Sequence, residues 1–128
     1  MATTAQYASV PRTAIQVLGS ANANRNGQGV CNIVFTANAT TGSRIDDIFV
    51  NGTGSVSAGA IRLYLSDGSN INLWQEVLVT ATTPSTTVTT WSYSWINQGL
   101  VLAPGWSLRA STNAAETFQI AVTRAGDF

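Results

Sequence analysis

The chain has 128 residues and a mass of 13.4 kDa, one domain's worth, with 45% hydrophobic but only 9% charged residues, against about 25% charged in ordinary globular domains. All six basic residues are arginines, lysine and histidine are absent, and six carboxylates bring the formal net charge to zero. This balance excludes counterion-release binding to nucleic acid, which needs clustered Lys and Arg, and disorder, which needs low hydrophobicity or high charge. No apolar run approaches the ~20 residues of a membrane-spanning helix, so neither nucleic acid nor membrane is an expected partner.

Taken in order, residues 1–13 carry Tyr7, Pro11 and Arg12 but no sustained alternation. They are expected to form an extended N-terminal arm that docks on a neighbour, a frayed end being the plainer alternative. The opening MATTAQYASVPR has no apolar core of a signal peptide, so synthesis in the cytoplasm of a host cell is expected. Residues 14–128 read as a single domain with strands near 14–19, 30–37, 44–50, 60–65, 71–79, 88–96, 106–112 and 117–124. Val, Ile and Thr are abundant in them, and no helical periodicity runs for a useful length. Between the first two strands, Asn22 to Gly27 imitates the front of a calcium loop, but Asn replaces the leading Asp and Ile33 stands where the bidentate Glu belongs. An asparagine-glycine turn is expected there rather than a metal site.

Alternation then becomes clear. Ile61, Leu63 and Leu65 oppose Arg62 and Tyr64, while Phe118, Ile120 and Val122 oppose Gln119, Ala121 and Thr123. Side chains two apart share a face, so each strand has an apolar and a polar side. Adjacent Asp46 and Asp47 should accordingly point to opposite faces. Ser66-Asp67-Gly68-Ser69 carries a hairpin signal, and Pro104-Gly105 a type II turn. The sum is an all-β antiparallel two-sheet sandwich of about eight strands. A jelly roll is the favoured topology and an immunoglobulin-like sandwich the alternative.

Chemistry is scarce. Without histidine or lysine there is no Ser-His or Cys-His nucleophile and no Schiff-base lysine. The single cysteine, Cys31, can neither form an internal disulfide nor build a zinc site, and its apolar surroundings predict a small buried residue. No phosphate-cradling glycine loop is present. The expectation is a protein that is no enzyme and holds no cofactor or metal. The most unusual local feature is Trp91-Ser92-Tyr93-Ser94-Trp95. In a strand it puts three aromatics on one face, either as core or as an exposed platform for a subunit or a sugar ring.

Four strings, ANANRNGQG from residue 21, SRIDDIFV from 43, AGAIRLYLSDG from 58 and LAPGWSLRASTNAAETFQIAVTRAGDF from 102, resemble a group of small proteins encoded among the structural genes of tailed bacteriophages and prophages. The resemblance runs over nearly the whole chain and is most specific in PGWSLRAST and the terminal Gly-Asp-Phe. It departs where Ala125-Gly126 replaces the two glycines that often close the family. The resemblance implies a virion component. Low charge suits a protein whose surface is largely buried in a symmetric assembly. The expected function is therefore a capsid decoration (cement) protein on the outer capsid surface, a homo-oligomer with a trimer first, partnered by itself and the major capsid protein. Its interface candidates are Tyr7, Pro11, Arg12, Trp91, Tyr93 and Trp95. The alternative is a carbohydrate-binding or adaptor module of a tail or head fibre, with the three aromatics as stacking rings.

Overall fold

A computed structural model describes residues 8–128, which contain nine strands and no helix. They are β1 (Val10–Leu18), β2 (Asn32–Thr36), β3 (Ser43–Gly52), β4 (Gly59–Ser66), β5 (Ile71–Val79), β6 (Ser92–Trp95), β7 (Leu100–Leu102), β8 (Ser107–Thr112) and β9 (Phe118–Asp127). One sheet runs β1-β9-β3-β6, with β7 on β3 beyond the end of β6; the other runs β2-β8-β4-β5. Every ladder is antiparallel. With β6 and β7 taken as halves of one broken strand, the first strand pairs with the last, the second with the next to last, and so inward to the β4–β5 hairpin. A long hairpin rolled up in this way is a jelly roll, which decides against the immunoglobulin-like alternative.

The core lies between the sheets where alternation placed it. Ile61, Leu63, Leu108, Ile120 and Val122 have no exposed surface. The opposite side of β4 is buried as well: Arg62 is 2% exposed and Tyr64 fully covered. The segment 19–31 explains this, because it straps across the outer face of the β2-β8-β4-β5 sheet. Asn22 anchors it, its backbone N–H donating to Thr112 O (2.9 Å) and its side-chain amide to Gln28 O and Val30 O. The Arg62 guanidinium then donates to Asn22 O, and the Tyr64 hydroxyl to Asn24 O. The string that imitates a calcium loop is thus a structural strap, and Cys31 at its end is half-buried rather than buried.

Other departures are local. β1 begins at Val10, so residues 10–13 belong to the sheet and not to an arm; residues 1–7, Tyr7 among them, lie outside the described residues. β6 spans four residues instead of nine, and the three-residue β7 was not expected. The β4–β5 turn is a four-residue loop in which the Asp67 carboxylate accepts the N–H groups of Ser69 and Asn70, both at 2.8 Å. Those bonds hold its carboxyl below the usual range. Pro104-Gly105 forms the expected turn, with Gly105 at φ +80° and Trp106 N–H donating to Ala103 O at 3.0 Å.

Candidate functional site

The aromatic segment forms β6 from Ser92 to Trp95, at one edge of its sheet, with Trp91 just before it. Its register with β3 pairs Trp95 with Ile48 and Tyr93 with Val50, both core residues, so the aromatics face inward. Trp95 is 6% exposed. Trp91 packs edge-on against Phe118 at 5.8 Å, and Tyr93 leans on Trp95 at 4.9 Å, reaching solvent only at the rim. Trp95 belongs to the core, Trp91 packs against it and Tyr93 stands exposed beside them, so the three rings form no flat platform.

The opposite, outward face of this sheet exposes Ile15, Val17 and Phe49. Two rows cross all four strands. One is Ile15–Ala121–Phe49–Ser94 and the next is Val17–Gln119–Asn51–Ser92. No charged side chain stands in either row, and Ile15, Val17 and Phe49 are 66%, 50% and 40% exposed. At the β6 end the rows open into a shallow depression of about 710 Å³ walled by Phe49, Asn51, Thr90, Ser92, Tyr93 and Ser94. Sequence reading had not singled out this face. Ile48, Phe49 and Val50 form an unbroken apolar run, so one of them had to face out, but nothing local said that several strands do the same in register.

Pro11 and Arg12 sit in β1 opposite Gly126 and Ala125. Arg12, expected to dock on a neighbour, is engaged within the chain. Its guanidinium lies 4.1 Å from the Phe35 ring centroid and donates to Thr36 O and to Asp127, tying β1 to the other sheet. Asp127 is a hub that also accepts the Ser43 hydroxyl at 2.6 Å and the Asn38 amide. These donors, the serine foremost, hold its carboxyl below the usual range. Gly126 beside it passes so close to Ala8 and Val10 that a Cβ there would collide. Gly126 and Asp127 of the terminal Gly-Asp-Phe therefore each have a structural reason.

Asp46 and Asp47 do not point apart. Both are buried, and both reach Arg124, at 3.4 Å each. Alternation breaks here: Ile45 and Ile48, three apart, are both in the core, and opposite them Arg124 adopts a left-handed φ of 49°. The carboxylates also accept the backbone N–H groups of Gly99 and Asn97, so they hold the 96–99 turn that separates β6 from β7. Among the described residues no group of three or more His, Cys, Asp or Glu side chains converges to hold a metal, and every buried side-chain polar atom has a partner.

No family model and no curated protein matches the chain. Among solved structures it is weakly similar to a chain in a structure of infectious bursal disease virus, Gt strain, with 17% identity over 91% of this chain and a TM-score of 0.34. It is likewise similar to a chain of the T13 IBDV viral particle, with 19% identity over 90% of this chain and a TM-score of 0.37. The chain spans 33% and 32% of the length of those two. The assignment of the jelly roll rests on this chain's own strand order and register.

Proposed function

We propose that the protein is a structural component of a bacteriophage virion, a non-catalytic decoration (cement) protein that binds the outer capsid surface as a homo-oligomer. The observation that carries this reading is the pair of uncharged rows on the outward face of the β1-β9-β3-β6 sheet. Uncharged side chains in register across four strands, with Ile15, Val17 and Phe49 exposed among them, suit burial against another protein surface in a chain so poor in charge. The resemblance of the sequence to phage structural proteins supports a virion component, and the low charge suits a partner that covers much of the surface, for which we take the shell formed by the major capsid protein. Stacking of sugars on Trp91, Tyr93 and Trp95 is not favoured, because Trp95 is buried and Trp91 packs on the core, which leaves Tyr93 as the one exposed ring of the three.

Adding purified protein to undecorated capsids tests the reading. The wild type should load to hundreds of copies per particle, as read by gel densitometry. Loading should persist at high salt, since no charged side chain stands in the docking rows and screening weakens only exposed charge pairs. Ile15→Glu with Val17→Glu should abolish loading while leaving the circular dichroism spectrum unchanged. Equal loading by the double variant, or a copy number of a few dozen confined to tails, would overturn the assignment.

A further inference from the structure

A jelly roll leaves four open strand edges, and three of those in this chain are guarded. β1 carries Pro11 and Arg12. β5 carries Glu76 and an irregularity against β4 between Leu63 and Tyr64. β2 has an irregularity between Ile33 and Phe35. Charges, prolines and bulges are the usual devices that stop an edge from pairing with another chain. β6 has none of them: Ser92, Tyr93, Ser94 and Trp95 are uncharged, without proline, and paired with β3 in unbroken register.

The ladder also fixes which backbone groups β6 leaves open. Gly52 N–H donates to Trp91 O at 2.8 Å, which makes 52/91 a hydrogen-bonded pair. In an antiparallel ladder such pairs recur at every second residue, here 50/93 and 48/95. The N–H and C=O of Ser92 and Ser94 therefore point away from β3. Among the described residues no strand lies on that side.

We propose that β6 pairs with β6 of a second copy, antiparallel across a two-fold axis through Tyr93, joining the two five-stranded sheets into one continuous sheet. The edge is its own complement. Centring on Tyr93 sets Ser92 against Ser94 of the second copy and Ser94 against its Ser92, so all four outward-pointing groups on each side are used. A centre at either serine would engage fewer β6 groups. No like charges meet across the seam, because none stands on β6 or in the rows that end there. Tyr93, 43% exposed, then faces its counterpart, a favourable aromatic cross-strand pair. The uncharged rows continue unbroken from one copy into the next, which doubles the outward face and needs no assumption about what that face binds. This two-fold pair takes the place of the trimer expected from the sequence.

Four residues per copy make a small seam, so dissociation in the micromolar range is expected and sedimentation should be followed up to about 100 µM. Ser94→Pro removes an N–H that β3 does not use and that the seam needs, so it should keep the fold and weaken the pair by about ten- to a hundredfold. Register is read by cross-linking in a Cys31→Ser background. In a non-hydrogen-bonded pair the Cα atoms lie about 4.5 Å apart, within disulfide reach. Tyr93→Cys should thus oxidise to a covalent dimer and Ser92→Cys, which faces Ser94, should not. A wild-type monomer at 100 µM, a trimer, a pair indifferent to Ser94→Pro, or cross-linking through Ser92→Cys alone would each overturn the proposal.

Discussion

Arg62 shows how much one side chain on the nominally polar face of a strand can carry. It is buried at 2% exposure, and its guanidinium meets the Glu76 carboxylate at 2.8 Å, Asn22 O at 3.0 Å and the Asn113 side-chain oxygen at 3.2 Å. Arg25 shares the same carboxylate at 2.7 Å but stands in solvent. The two arginines together hold the Glu76 carboxyl below its usual range, Arg25 contributing most. Distance alone would rank the contacts as equals; burial separates them. Removing Arg62 strands three buried or half-buried acceptors and loosens the strap, so Arg62→Ala should cost about 3 kcal/mol in urea unfolding. Arg25→Ala should leave the midpoint nearly unmoved, because solvent screens an exposed pair. In the sequence both arginines read simply as dispersed charge. The information that distinguishes them lies in the 19–31 strap, whose return over the sheet no local pattern encodes.

At the scale of elements, strand existence was legible and strand phase was not. Each of the eight expected strands overlaps an observed one, since period-two alternation and turn residues are local signals. The jelly-roll order needed the pairing of residues up to 117 apart, Val10 with Asp127, which only tertiary contact settles. β3 is where local reading failed, because period two predicts opposite faces for Asp46 and Asp47. What breaks the phase is Arg124 on the neighbouring strand, held left-handed beside a register shift between β9 and β1. The other non-glycine residue with positive φ among the described residues, Asn97, accepts a hydrogen bond from Arg124 at 3.0 Å. The two irregularities are thus one feature, fastened by two carboxylates. A left-handed residue with a Cβ costs about 1–2 kcal/mol more than glycine. Arg124→Gly should therefore be more stable than Arg124→Ala by about 1 kcal/mol, although both lose the same guanidinium. Equal stabilities in thermal or urea unfolding would mean that the backbone relaxes out of that conformation once the side chain is gone. The aromatic segment around β6 was legible in part: that its three rings share one face followed from alternation, the choice between core and exposed platform did not, and the shortness of β6 depends on the Asp46 and Asp47 bonds to the 96–99 turn.

For the whole molecule, the same six arginines and six carboxylates that give zero net charge also set its response to pH. With no histidine, no side chain has an ordinary pKa between 5 and 8, and burial moves the Cys31 thiol further up. Stability should therefore be flat across that interval. Below it the carboxylates decide. Asp127 and Glu76 are held below their usual range by donors that exist only in the folded chain, and Asp67 is held there by its own turn. A carboxyl whose pKa is depressed by folding stabilises the native state fully above its unfolded value, about 4, and that contribution is lost as pH falls through the folded value. Acid also removes the negative half of a balanced set and leaves six arginines unopposed, adding self-repulsion to the loss of local bonds. The expected profile is a urea midpoint constant from pH 8 to pH 5 that falls steeply below about pH 4. Asp127→Asn isolates one share of that slope: the variant should be less stable than wild type at pH 7, and the gap should narrow in acid. A gap that stays constant down to pH 2 would show that Asp127 acts through shape and hydrogen bonding alone, with its charge contributing nothing to the joint between β1, β3 and β9.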